Sequence, residues 1–154
     1  MSVCAHVSKV SKDYSPYGYS IMESGAGGSF TTAAGPAGPA GGASLALMDD
    51  ASAWLEAAYL FSGGGYAAAG DDAANNWTVA LAAIDAAGAG VNLAVWSSWD
   101  GAAPVSLAGS VLTALDVGPA EIPAGSFLGF QVVRLGTPAN DLQIDIMVRY
   151  RRKA

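Results

Sequence analysis

Nucleophiles and bases are scarce in this chain, and the nearest thing to a reactive pair is Cys4 with His6. Two residues apart, they share one face of an extended strand, which sets a thiol near an imidazole. A Ser-His-Asp or Cys-His arrangement has only this histidine to draw on, and no third member stands beside it. The pair therefore reads as part of a packed or exposed N-terminal strand. One histidine and one cysteine also cannot furnish a structural zinc site. Asp49-Asp50 and Asp71-Asp72 offer carboxylates, but not in the alternating Asp-x-Asp-x-Asp-Gly spacing that wraps calcium, so they read as turn or cap residues. The 13 acids supply some pair at glycosidase distance by chance alone, so such a pair carries no signal. No glycine-rich stretch is followed by Lys-Ser or Lys-Thr, the mark of a phosphate cradle. Asn76-Trp77-Thr78 matches a glycosylation acceptor but reads as an ordinary strand start. The expectation is no catalytic residue, no metal and no cofactor.

Aromatic rings are the remaining candidates for binding chemistry. Trp54, Trp77, Trp96 and Trp99, with Tyr59 and Tyr66, are numerous enough for a sugar-stacking platform. Trp96 and Trp99 are three apart, however, and face opposite sides of a regular strand. Core or subunit-interface packing is the default reading, with a glycan surface as the alternative.

The elements that position these residues must come from a chain of 154 residues with 13% charged and 52% hydrophobic side chains. That length fits one domain, able to bury ~70% of the surface its unfolded chain exposes. Low charge and a positive mean hydropathy of +0.34 oppose disorder. No apolar run reaches the ~20 residues needed to span a bilayer. No basic patch and apolar core follow Met1, so no secretory signal is expected. A single cysteine precludes an internal disulfide framework and fits a reducing cytosol. The net charge of −6 disfavours nucleic acid, because phosphates demand clustered Lys and Arg. The seven basic residues are Lys9, Lys12, Arg134, Arg149, Arg151, Arg152 and Lys153, with none between Lys12 and Arg134. The basic C-terminal end reads either as a solvated tail or as an electrostatic contact with an acidic neighbouring subunit. So many apolar residues with so few charges also suggest surface buried between subunits.

The clearest element closes the chain. Leu142, Ile144, Ile146, Val148 and Tyr150 alternate with Asp141, Gln143, Asp145, Arg149 and Arg151, with Met147 the single apolar intruder on the wet side. A period of two is the mark of a half-buried strand. Residues 121–135 form a second apolar run, and the break at Gly136-Thr137-Pro138-Ala139-Asn140 predicts an antiparallel hairpin between the two. Val3, Ala5, Val7 and Val10 suggest a short strand or an extended arm ended by Ser15-Pro16. Tyr17 to Met22 reads as another short strand, and residues 24–43, rich in Gly, Ala, Ser, Thr and Pro, as a long loop. Within that loop Gly35-Pro36-Ala37-Gly38-Pro39-Ala40-Gly41 imitates collagen, but two triplets cannot nucleate a triple helix. Residues 51–61 fit either a helix capped by Asp49 or Asp50 or a strand stopped by Gly63-Gly64-Gly65, and strand is the choice. Further strands are expected over 75–84, 91–99, 104–107 and 111–117, with a turn at Asp100-Gly101. Seven or eight short strands separated by turn chemistry predict an all-β, antiparallel jelly-roll-like β-sandwich. Its expected organisation is an irregular N-terminal arm over 1–16 and one β domain over 17–154, with the Gly/Ala/Pro loop inside it.

From Trp54 onward the pattern resembles small jelly-roll virion proteins of tailed bacteriophages, the head decoration (cement) proteins and related head-fibre domains. The stretches that carry the resemblance are Ala53-Trp54-Leu55-Glu56-Ala57-Ala58-Tyr59, Asn75-Asn76-Trp77-Thr78-Val79-Ala80-Leu81, and Trp99-Asp100 with Pro104-Val105-Ser106-Leu107. It continues through Ile122-Pro123-Ala124-Gly125 with Leu128, and through Gly136-Thr137-Pro138-Ala139-Asn140-Asp141-Leu142 into the alternating last strand. Residues 1–50 lie outside it. The resemblance implies a non-enzymatic, oligomeric protein on the outer surface of a virion, made in the host cytoplasm. Its partners would be the major capsid protein and further copies of itself as dimer or trimer, with no nucleic acid or membrane. The expected contacts with the shell are the N-terminal segment (Val3, His6, Lys9, Lys12) and the basic end (Arg149, Arg151, Arg152, Lys153). The alternative is a receptor- or glycan-binding domain of a tail or head fibre, marked by an exposed aromatic cluster and usually by a long upstream shaft. A cupin-like metalloenzyme would require several histidines in a barrel, and the chain has one.

Overall fold

The computed structural model describes residues 2–14, 20–31, 38–48, 51–118 and 120–153, with side chains at Leu45, Met48 and from Ala51 onward. Among the described residues there are ten strands: β1 (Ser2–Tyr14), β2 (Ser20–Thr31), β3 (Gly38–Leu47), β4 (Ala53–Phe61), β5 (Asn76–Ile84), β6 (Gly90–Ser97), β7 (Leu112–Ala114), β8 (Ala120–Ile122), β9 (Phe127–Leu135) and β10 (Gln143–Arg152). They form two antiparallel sheets packed face to face as a β-sandwich. Sheet A runs β1-β2-β10-β4-β7, with β8 also paired to β4, and sheet B runs β3-β9-β5-β6. The chain passes repeatedly from one sheet to the other, so neighbours in a sheet are seldom neighbours in sequence.

Strand alternation builds the core. On β10 Ile144, Ile146, Val148 and Tyr150 are buried, as the period of two requires. They meet Leu55, Ala58 and Leu60 of β4 in the same layer and Trp77, Val79 and Leu81 of β5 and Leu128, Phe130 and Val132 of β9 in the other. Ala53–Phe61 is a strand, which resolves the helix-or-strand ambiguity: its register against β10 requires it to present Ala53, Leu55, Ala58 and Leu60 to that core.

The expected closing hairpin does not form. β9 lies in sheet B between β3 and β5, and β10 lies in sheet A between β2 and β4. Residues 136–142 cross between the layers. Their polar groups bond to other loops: Thr137 N–H donates to Asn75 Oδ1 at 2.8 Å, Ala139 N–H to Asp71 Oδ1 at 2.8 Å, and Asn140 Nδ2 to the Ala67 carbonyl at 2.7 Å. A one-sided apolar pattern reports that a face is buried, and both arrangements bury it; the strand partner is set by contacts elsewhere.

The N-terminal half also departs from expectation. In place of an irregular arm, residues 2–14 form β1, paired with β2 along its length apart from one register shift between Lys9 and Lys12. In place of a long loop, residues 24–31 belong to β2 and residues 38–43 to β3; residues 32–37 lie outside the described residues, as do Tyr17 to Tyr19 of the short strand expected there. Glycine and alanine are poor strand formers alone, but β2 is hydrogen-bonded on both edges, to β1 and β10. Pro39 is tolerated because β3 is the edge of sheet B, where a missing N–H need not break a ladder. Residues 104–107 make only isolated bridges, Trp99 with Pro104 and Tyr66 with Leu107, rather than a strand.

Candidate functional site

Two places gather chemistry-bearing side chains: a buried junction at one end of the sandwich and the outward face of sheet A.

The junction forms where the β4–β5 loop, the residues after β6 and the β9–β10 crossing meet. Asp71, expected as a turn residue, is instead buried at its centre. Its carboxylate accepts hydrogen bonds from the Tyr66 hydroxyl at 2.7 Å, from Ser98 Oγ, and from Ala139 N–H at 2.8 Å. Burial, then the hydrogen bond and charge of Asp71, push the Tyr66 hydroxyl well above the ordinary tyrosine range. The Tyr66 ring meets Trp96 edge-on, with centroids 6.1 Å apart. Trp77 Nε1 donates to the Asn140 carbonyl at 2.9 Å, and the Arg134 guanidinium lies 5.8 Å from the Trp77 ring centre. The Asn76 amide donates to the Asp72 carbonyl at 2.9 Å, so the acceptor-like Asn76 is a buried strand start. Bonds from Ser98 and Ala139 to Asp71, from Asn140 to Ala67 and from Trp77 to Asn140 run between separate segments, which makes the junction a staple for three connections.

Asp72 and Asp100 sit in turns at the surface. Asp72 accepts from the N–H groups of Ala74 and Asn75, and Asp100 from those of Ala102 and Ala103. These donors, Ala74 and Ala103 first, hold both carboxyls below the usual range. Asp49 and Asp50 lie outside the described residues. Among the described residues no cluster of three or more His, Cys, Asp or Glu is arranged to hold a metal ion.

The outward face of sheet A is the second place. Opposite the buried row of β10 stand Asp145, Met147, Arg149 and Arg151. Register aligns Met147 with Tyr59 and then Ala114, and Asp145 with Phe61 and then Leu112. Met147 and Leu112 are 39% and 52% exposed, while Tyr59 and Phe61 are half-buried between them. An apolar, partly aromatic centre thus lies beside a charged rim. Glu56, on the bulge of β4, receives Arg149 Nε at 3.4 Å and Arg151 at 3.1 Å. Lys153 bonds Glu121 at 2.7 Å and sits 4.4 Å from the centre of the Trp54 ring. That contact, more than any other, holds the Glu121 carboxyl below its ordinary range.

The basic end is therefore no solvated tail: Arg149, Arg151 and Arg152 belong to β10, and Arg149, Arg151 and Lys153 have acidic partners within this chain. The other expected contacts lie on β1, two strands away at the edge of the same sheet. His6 pairs with Gly27, which pairs with Met147, and Cys4 pairs with Ser29, which pairs with Asp145. Val3 aligns through Phe30 with the buried Ile144, and Lys9 through Ser24 with the buried Tyr150; Lys12 pairs with Met22 beyond the register shift. The side chains of these β1 residues lie outside the described residues. Tyr59, expected only as one ring of a sugar-stacking platform, lies in this surface, whereas Phe61, Leu112 and Glu56 carry no site signal of their own in the sequence; the apolar Met147 on a wet face is the one pointer to them. Of the six candidate rings for a sugar platform, Tyr66, Trp77 and Trp96 are core residues. Comparison with protein families finds no family model that matches the chain. Comparison with curated proteins finds no match.

Proposed function

We propose that this protein is a structural virion component, a decoration or cement protein that binds the outside of a bacteriophage head and clamps neighbouring major-capsid subunits. The observation that carries the reading is the outward face of sheet A, with its apolar centre of Tyr59, Phe61, Leu112 and Met147 beside Arg149, Arg151 and Glu56. A buried apolar and aromatic anchor within a charged rim is the anatomy of a protein-docking surface. The interleaved strand order, β2-β10-β4-β7 facing β3-β9-β5-β6, supports a jelly-roll-like winding of the sandwich. Adhesion rather than catalysis is supported by the junction, where Asp71 is engaged by three protein donors and Ser98 is fully buried. A protein that binds only the assembled shell stabilises that shell by mass action, and many copies sum modest contacts.

The test is addition of the purified chain to mature capsids that lack it. Binding with a raised capsid melting temperature is the expected result. Met147→Asp places a charge in the docking centre and should weaken binding by at least about tenfold while leaving the isolated protein's melting unchanged. Binding to host cells or surface glycan, with capsids ignored, overturns the reading in favour of a fibre domain.

A further inference from the structure

Sheet B differs from sheet A in one respect that bears on assembly. Across β3, β5, β6 and β9 there is one ionisable side chain, Arg134, and it points into the core at 8% exposure. Strands β4 and β10 alone carry Glu56, Asp145, Arg149, Arg151 and Arg152. The outward rows of sheet B are short and uncharged: Ser97–Thr78–Val133, then Val95–Ala80–Gln131. Val95 is 50% exposed at the sheet's open edge.

We infer that the outward face of sheet B is the interface between two copies of this chain, related by a two-fold axis. Charge selects the occupant. The molecule carries −6 overall, so two copies repel wherever their acidic surfaces meet, and this face removes that repulsion. A basic or acidic partner gains nothing from a face without ionic groups. Shape agrees, because Ala80 and Thr78 leave the sheet low-relief, and stacked sheets pack about 10 Å apart. The area suffices as well. Four strands about 4.8 Å apart and roughly 30 Å long give ~550 Å² per copy. Two copies then bury roughly 1,100 Å², beyond the ~1,000 Å² expected of a specific interface. An isologous dimer would leave the sheet A faces free and pointing away from each other. The inference does not depend on capsid binding.

Sedimentation equilibrium of the full chain tests it. The expected result is a dimer that added salt does not dissociate, since no ion pairs hold it and screening only relieves the repulsion between two acidic copies. Ala80→Asp buries an unpaired carboxylate at the centre of the interface and should raise that constant at least about 100-fold. Val95→Lys, at the edge, is the second variant should the first not fold, and circular dichroism verifies each. Met147→Asp, on sheet A, should leave the dimer intact. A wild-type monomer, a stoichiometry other than two, or a dimer unaffected by a folded sheet B variant overturns the inference. Loss of the dimer in Met147→Asp overturns it too, and would move self-association to the sheet A face.

Discussion

Asp71 shows how one side chain can join loops that are distant in sequence. Its three donors come from Tyr66, Ser98 and Ala139, so the carboxylate ties the β4–β5 loop to the end of β6 and to the β9–β10 crossing. Tyr66→Phe removes one donor and should cost about 1 kcal/mol at neutral pH, read from the urea midpoint. The alkaline limb tests the same contact. The folded hydroxyl ionises above the ordinary value of 10.0, so above that pH the unfolded chain has lost a proton that the native state still holds. Stability from this group is fully present below pH 10 and declines as pH rises beyond it. The gap between wild type and Tyr66→Phe should therefore narrow above pH 10; a constant gap would remove Tyr66 from the linkage. In the sequence Asp71 has the marks of a turn residue, because an acid beside another acid among glycines and alanines normally sits at the surface. Its three partners are up to 68 residues away, and no local pattern announces them.

At the scale of elements, the two connections that define the sandwich make separable predictions. Gly136 leads out of β9 with a φ of 54°, and a Cβ there would collide with the Ala74 carbonyl and the Asn75 side chain. Gly136→Ala should destabilise by roughly 2–4 kcal/mol, because the Ala74 carbonyl is backbone, the Asn75 amide is held by its bonds to Asp72 and Thr137, and the backbone conformation itself disfavours a side chain. The corresponding fall in melting temperature is about 4–16 °C. A free arm and a paired β1 also differ in consequence. Deleting residues 1–16 leaves β2 as an unpaired edge, so the melting temperature should drop by at least ~5 °C and aggregation should increase. An unchanged melt would restore the arm. These connections were hard to read for a shared reason. Residues 24–31 have too little side chain to show a period, and Gly136 to Asn140 has the composition of a hairpin turn whether it closes a hairpin or crosses the layers.

For the whole molecule, charge is spread unevenly: one sheet has a mixed ionic outer face, the other an uncharged one. Surface carboxylates with native partners add a pH term. Asp72, Asp100 and Glu121 all ionise below their ordinary values in the folded state. Their contribution is therefore present above the unfolded values and is lost as pH falls through the lower folded ones. Thermal melts from pH 7 to pH 2 should show stability decreasing below about pH 4, near the reference carboxylate range. Substituting Asp100 by Ala should reduce the steepness of that fall. A melting temperature flat across this range would exclude these carboxylates as stabilising groups.

The amino-acid sequence alone pointed to a β structure, because the alternation along residues 142–150 obeys a period that helices do not have. It also determined which side of β10 is buried, and it exposed Met147 as an anomaly on the other side. Tertiary structure alone decided that β9 and β10 belong to different sheets, that glycine-rich segments are strands, and that Tyr59, Phe61, Leu112 and Met147 form one surface. The physical reason is range. Side-chain periodicity is a local property of the backbone pleat, whereas strand pairing and loop stapling are chosen by contacts between residues far apart in the chain, which compete only after the layers have come together.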